Sequence, residues 1–415
     1  MADSARVART SAALASGVLV AIACARAVPD PAPELARAQP SSGRHERSSS
    51  EPVVGAFAGA DTVRVDTIAP GVVHVYAWES QGPWAVHVLS VEQRPCTRFE
   101  ARRAGAALAA RAGTSEIARA ATAGVNADFF ALPDGTPVNA HATGGELHIS
   151  PSRDWPGVGF SGANAVIGRI EVQGEVRFRG SSQPLGAVNR TVTDTGRLTL
   201  FTAAHGTSFG ADTAAPVQSL RLRRLDPAGG RGRAVASSRA AAATGATLDT
   251  AEVVLAAPIL PAPLAQITPG DTLEWHVEAQ VCARGRVCVA PLEIVGGFPE
   301  LLRDGQRAAE RDRVAPAFGA LRHPRTALGI DRDRSAVLLV TVDGRQAPYS
   351  DGMTLGELTR LLLRLGADDA LNLDGGGSTT MAIGGQVVNR PSDREGERAV
   401  GNAILVHADD CRAGP

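Results

Sequence analysis

The sequence predicts an α+β fold of mostly antiparallel sheets with packed helices, arranged as two pseudo-symmetric halves around one cleft. Three observations lead there. Short β-branched runs broken by Gly and Pro turns recur from Val63 to Val91 and again from about 157 to 292. A helix with full start and stop signals lies at Thr354 to Leu365. A strand-like Ala370-Leu371-Asn372-Leu373 then runs straight into three glycines.

Taken in order, Arg6 and Arg9 precede an apolar stretch from Ser11 to Ala23, the layout of a secretory leader spanning 1–27. That stretch is too short to cross a bilayer. Ala25-Arg26-Ala27 offers a cleavage site, and Ile22-Ala23-Cys24 resembles a lipoprotein box that would lipidate Cys24; these stand as alternatives. Residues 28–60, rich in Pro, Ser and Ala, read as a disordered linker. A domain over 61–408 and a tail over 409–415 follow. Within the domain, alanine-rich Ala101 to Ala123 reads as one or two helices, and Pro227 to Ala246, built almost wholly of Gly, Ala, Arg and Ser, reads as a surface loop. In the helix at 354–365, Thr354 and Glu357 form a capping box, five leucines share one face, and Gly366 closes the end. Gly384-Gly385 between Met381-Ala382-Ile383 and Gln386-Val387-Val388 is a hairpin signal.

Composition narrows the chemistry. With 415 residues, 44% apolar and 20% charged, the chain can bury a sizeable core. A formal net charge of −1 argues against a nucleic-acid partner. All 42 basic residues are arginine, because the sequence contains no lysine. P-loop, pyridoxal Schiff-base and Ser-x-x-Lys chemistries are thereby excluded. An anion must be held by arginine or by backbone amides.

Apart from Cys24 there are four cysteines, an even number that suits an oxidising compartment. Cys282 and Cys288 flank Gly285 and can meet across a hairpin, which leaves Cys96 to pair with Cys411. No ligand set for zinc is present, and none is recognisable for a divalent ion at Asp374 or Asp343, so no cofactor is expected.

The run Asn372-Leu-Asp-Gly-Gly-Gly-Ser-Thr-Thr380 carries the chemistry. Consecutive glycines let amides converge on an anion, and Ser378 and Thr379 add hydroxyls. Asp374 beside such a nest would be costly without a task. A charged segment follows, from Asn389 through Asp393, Glu397 and Arg398 to Asn402.

The stretch from Ala370 to Val406 resembles the C-terminal signature of the phosphodiester glycosidase family. Asn126-Ala-Asp-Phe-Phe130, Pro324-Arg-Thr-Ala-Leu-Gly329 and Val342-Asp-Gly-Arg345 match in family order, so the resemblance covers about Asp61 to Val406. It implies an exported hydrolase that cleaves the C1–O bond of a sugar-1-phosphodiester, with a phosphodiester-linked sugar or anionic glycan as partner. Under it, Asp374 and Glu397 are the expected catalytic carboxylates, with Asn126 and Asp128 beside them. Arg325, Asn372, Gly375, Gly376, Gly377, Ser378, Thr379, Arg398 and Asp343 are the expected substrate- or phosphate-binding set. The membrane enters only through a lipid on Cys24. Two other classes stay open: a hydrolase using Ser378 as nucleophile, and a non-catalytic surface module that binds anionic glycans.

Asn126-x-Asp128 and Asn372-x-Asp374 also share a pattern, each followed by Gly-Gly and a Pro-Ser segment. Read as a degenerate internal repeat, it places Asn126, Asp128 and Asp374 in one pocket. Of the scattered histidines, His141 and His323 lie nearest these motifs.

Overall fold

The computed structural model describes residues 51–408 apart from 193–196, 207–216, 227–229, 242–247, 284–287 and 311–313. The expected leader with Cys24, most of the expected linker, the 409–415 tail and Cys411 lie outside the described residues.

The α+β expectation is overturned: strands make up 49% of the structure and helices 11%, and one set of strands closes into a barrel. The longest described helix, Leu355–Arg364, has ten residues. Its capping box forms as expected, with Glu357 N donating to Thr354 Oγ1 at 3.1 Å and Thr354 N to Glu357 Oε2 at 2.9 Å. The other described α-helices are about one turn long, so sheets rather than helices supply the layers.

Three sheets form. The first has eight strands in the order Thr62–Ala69, Val72–Glu79, Trp84–Glu92, Ala336–Val342, Arg325–Asp331, Asp369–Asn372, Glu300–Arg303, Gln306–Arg307, all antiparallel. Its central strands are buried on both faces, which is why Ala336–Val342 reads as a continuous apolar run rather than an alternating one. Leu89, Leu328, Leu339 and Leu371 on one face pack against Val125, Met381, Ile404 and Val406 of the small sheet described next. The opposite face is covered by Leu355, Leu358 and Leu362 of the helix and by Val53 and Phe57. Those two belong to or follow Glu51–Gly55, a short helix inside the stretch expected to be linker.

The small sheet orders Gln386–Val387, Met381–Ile383, Ala123–Asn126, Asn402–His407, Arg98–Arg103. Its last strand occupies the start of the alanine-rich segment expected to be helical, of which only Thr114–Ile117 is a helix. The Gly384-Gly385 hairpin has positive φ at both glycines, 55° and 76°, as a two-residue turn of this hand requires.

The third sheet contains the barrel. Asn164–Phe178, Ser181–Val188, Leu198–Thr202, Glu252–Ala257, Gln218–Arg224, Arg231–Ala241 and Thr272–Cys282 pair in a ring that returns to Asn164–Phe178. Every pairing is antiparallel except that of Ser181–Val188 with Leu198–Thr202. The segment read as a surface loop at 227–246 thus supplies a barrel strand. Four further strands, Pro156–Ser161, Glu293–Gly296, His141–Thr143 and Glu146–Ile149, carry this sheet towards the other two. Cys282 and Cys288 are disulfide-bonded, and Cys96 is also disulfide-bonded.

Candidate active site

Antiparallel pairing gathers strand ends at one place. Arg325 begins its strand opposite Val342, and Ala327 pairs with Asn372, so Asp343 and Asp374, the residues at or just past those ends, lie at the same edge. Asn126 ends its own strand there, and its side chain ties the layers together. Its Nδ2 donates to Asp374 O at 2.6 Å, and its Oδ1 accepts from Thr326 Oγ1 at 2.8 Å and Thr380 N at 3.1 Å. Asp374 N in turn donates to Ala127 O at 2.8 Å. Asn126 therefore acts as a clamp between the layers, with its Oδ1 doubly bonded and one Nδ2 hydrogen left over.

Asp128, two residues on, is buried. Its Oδ2 accepts from Asn139 N at 2.8 Å, and its backbone N donates to Asn402 Oδ1 at 2.9 Å. Burial pushes its carboxyl up to about 7, against the pull of the Asn139 amide and the Arg190 guanidinium; the neighbouring Asp374 charge adds to the rise. Asp374 is also raised, to about 6, mainly by burial of its carboxyl, while Ser378, Arg398 and Gly375 N favour the charged form. Two neighbouring carboxyls raised by burial, Asp128 further by the charge of Asp374, are suited to acid–base work.

Five buried oxygens on the residues of this strand-end cluster have no protein partner: Asp128 Oδ1, Asn139 Oδ1, Asn372 Oδ1, Thr379 Oγ1 and Thr380 Oγ1. Buried polar atoms are nearly always bonded, so their concentration at one strand-end cluster marks it as a place built to meet polar groups. Gly296 makes room for it: a Cβ there would run into Asn139 Cβ and stand 2.8 Å from Asp128 Oδ1. Gly296→Ala is expected to lose about 2–3 kcal/mol of stability by overpacking, read as a lower urea midpoint at unchanged slope.

The expected phosphate set is placed differently from its sequence reading. Arg325 is only 2% exposed, and its guanidinium donates to Met353 O at 2.8 Å, Phe318 O at 2.6 Å and Leu321 O at 3.2 Å. It is committed to holding backbone carbonyls. Asp343 is fully buried and accepts from Tyr349 Oη, Asn389 Nδ2 and Arg390 N, which makes it the anchor of the loop after the hairpin. Burial raises it to about 6, against the pull of those donors. Asn372 Nδ2 bonds Phe298 O and Leu373 O. Glu397 accepts from Ser115 N at 2.7 Å and Ser115 Oγ at 2.5 Å, bracing the helical turn Thr114–Ile117. The structure thus pairs Asp374 electrostatically with Asp128 and engages Glu397 elsewhere.

The glycine loop is not an open nest. Gly375 N donates to Asp374 Oδ1 at 3.0 Å and Gly376 N to Pro324 O at 2.9 Å. These residues are glycine for want of space: a Cβ on Gly375 would lie 2.8 Å from Pro324 O, one on Gly376 3.2 Å from Arg345 Nη2, and one on Gly377 would overlap Arg398 and Asp393. Gly376 also has φ of 64°. Two guanidinium groups therefore lie against the loop. Arg398 is paired to Asp393 at 2.8 and 3.1 Å, while Arg345 contacts His323 Nδ1 at 3.2 Å. Arg345 was outside the expected set, although Val342-Asp-Gly-Arg345 was singled out as a motif. Arg190, which faces Asp128, carried no motif at all. His141 is buried, bonded to Asn402 and Thr143, and held well below its usual pKa by burial, so it is a neutral core residue.

A separate cavity of about 460 Å³ lies on the barrel between Glu175, Arg233, Glu274, Trp275 and His276. Two ion pairs line it, Arg177 with Glu175 and Arg233 with Asp226.

A family model described as phosphodiester glycosidase matches residues 231–407. Over 138 residues the chain is 37% identical to N-acetylglucosamine-1-phosphodiester alpha-N-acetylglucosaminidase of Bos taurus, an alignment covering 29% of this chain and 26% of the relative. The chain thus spans about a quarter of that relative's length. Among solved structures, a hypothetical protein from Synechocystis is similar in fold with a TM-score of 0.68 at 21% identity, over 84% of this chain and 64% of that one. A putative exported protein from Burkholderia pseudomallei has a TM-score of 0.60 at 26% identity, over 79% and 74%.

Proposed function

We propose that the chain, whose residues 231–407 match the phosphodiester glycosidase family model, is an exported hydrolase cleaving the C1–O bond of a sugar-1-phosphodiester. The observation that carries this is the coupled pair Asp128 and Asp374, raised to about 7 and about 6, beside a glycine loop flanked by Arg345 and Arg398. A phosphate monoester is a good leaving group, so binding its charge matters more than a strong acid. Arg345 and Arg398 face the phosphate; Asp374, ionised, works at the anomeric carbon or on the attacking water; Asp128, protonated, hands its proton to the departing oxygen. Water supplies the new oxygen on C1, and the bond to the phosphate oxygen breaks. Ser378, Thr379, Thr380 and Asn372 offer polar atoms to the sugar and phosphate oxygens. The disulfide at Cys282 and Cys288 and the leader-like N-terminus support export.

The test is a panel of sugar-1-phosphodiesters incubated with purified protein, with released reducing sugar as the readout. Release from at least one member, together with a phosphomonoester, is the expected result. Binding of the panel with no sugar released would leave a non-catalytic glycan-binding module in its place.

A further inference from the structure

Four aromatic side chains from separate segments touch one another next to the carboxylate pair. Phe129 meets Trp155 edge-on with centroids 5.7 Å apart and Phe318 at 6.0 Å, and Trp155 stacks on Phe298 at 4.6 Å and 14°. None is fully buried; each keeps part of its surface exposed. Aromatics are only 4% of this sequence. A contiguous, partly exposed aromatic cluster in so aromatic-poor a chain is the kind of apolar surface that marks a binding site.

The cluster is fixed by the residues that build the carboxylate site. Phe129 directly follows Asp128. Asn139, whose amide holds Asp128, donates its Nδ2 to Trp155 O at 3.3 Å and Pro156 O at 3.0 Å. Asn372 exchanges two bonds with Phe298, Nδ2 to O at 2.7 Å and Phe298 N to Asn372 O at 2.8 Å. Arg325 bonds Phe318 O and lies over the Phe318 ring at 5.2 Å. That gives Arg325, spent on carbonyls, a purpose: it positions one end of the aromatic row. The same end adjoins the guanidinium side of the site, since His323 contacts Ala317 O and Arg345.

We infer that Phe129, Trp155, Phe298 and Phe318 form the subsite for the glycosyl ring of the substrate, which lays its C–H face on them while its C1 substituent reaches the carboxylates. This rests on the sugar-phosphodiester reading above. A pyranose presents one face of weakly positive C–H bonds that complements the negative face of an aromatic ring, and its hydroxyl rim needs polar partners. The unpaired Oδ1 atoms of Asn139 and Asn372, whose Nδ2 groups bond Trp155 O and Phe298 O, stand beside the row to meet that rim. Exposed Arg153 lies over Trp155 at 5.1 Å, a cation–π contact weak enough in water for an arriving ring to displace. Phe129 directly follows Asp128, so the ring lying on the row is the one whose C1 lies nearest the carboxylates.

The test uses the full folded chain and two probes, a hydrolysed sugar-1-(methyl phosphate) diester and the free parent monosaccharide. Trp155→Ala is expected to raise KM for the diester about tenfold while changing kcat less than about threefold, and Trp155→Phe to restore KM to within about twofold. The free monosaccharide is expected to alter tryptophan fluorescence in the wild type and not in Trp155→Phe. Unchanged KM in Trp155→Ala, with the diester still hydrolysed, overturns the subsite and leaves the proposed reaction standing. A Trp155-dependent fluorescence change with no diester turned over keeps the subsite and removes the reaction.

Discussion

Asp374→Asn lowers kcat for a sugar-1-phosphodiester by at least about 10³-fold while the fold is retained. General acid–base and nucleophilic carboxylates are worth about 10²–10⁴ each, and this one is proposed to face the reacting carbon. The substitution is structurally mild for a definite reason. The bonds that hold residue 374 are made by its backbone, N to Ala127 O and O from Asn126 Nδ2, and Asn can keep the bond from Gly375 N that Oδ1 now accepts. The melting temperature should therefore stay within a few degrees of wild type. Ser378→Ala supplies the contrast: its hydroxyl sits beside the Asp374 carboxylate and favours the charged form, and if it does no more than that and meet substrate oxygens the variant retains at least about a tenth of activity. If instead Ser378 were the nucleophile, the two results would be exchanged. Full turnover in Asp374→Asn would remove the assignment.

How much of this was readable beforehand follows from what kind of interaction fixed each part. The helix at 355–364 and the Gly384-Gly385 turn were legible because both are specified within a few residues, by a capping box and by positive φ. The fold class was not, because barrel closure depends on pairings between strands far apart in sequence. At 227–246 the small residues resembled a low-complexity loop, yet Ala234 and Ala236 are buried in the barrel core and Gly232 lies against the Trp275 ring where any Cβ would collide. Smallness there answers to packing, and the partner that demands it is more than forty residues away. Alanine-rich 101–123 misled for the opposite reason. Helix propensity is worth only tenths of a kcal/mol per residue, and the edge pairing of Arg98–Arg103 with Asn402–His407 outweighs it.

The site shows the same division. Asn126, Asp128 and Asp374, which the Asn-x-Asp repeat placed in one pocket, each stand at or just beyond a strand end, where Asn126 Nδ2 bonds Asp374 O and the Asp374 charge reaches Asp128. Side-chain direction decided the arginines. Arg325 opens a strand whose every residue is buried, so its guanidinium has only protein to turn to, whereas Arg345, past the strand end with φ of 59°, reaches the glycine loop. Nothing in the local pattern distinguishes two arginines twenty residues apart on that basis.

Asp128→Asn separates the chemical from the structural cost of the buried pair. For wild type, kcat/KM against pH should peak between about 6 and 7, falling on the acid side as Asp374 takes up a proton and on the alkaline side as Asp128 loses one. The two limbs belong to the coupled pair rather than to either residue alone. In Asp128→Asn the alkaline limb should vanish and the maximum rate drop by about 10²-fold, with the acid limb remaining. Stability should move the other way. The folded-state pKa of Asp128 is raised above its unfolded value near 4, so the native state binds the extra proton between about pH 4 and pH 7, and stability is lost as pH rises through that window. Asparagine has no proton to lose there and can still accept from Asn139 N through Oδ1. Thermal melts at pH 8 should therefore place the variant above wild type, by roughly 2–4 kcal/mol before the loss from its newly buried Nδ2 is subtracted, and melts at pH 4 should show that advantage gone. A variant that is inactive and also less stable than wild type at pH 8 would mean that Asp128 is a satisfied structural carboxylate. The proton proposed for the leaving phosphate oxygen would then have to come from another group.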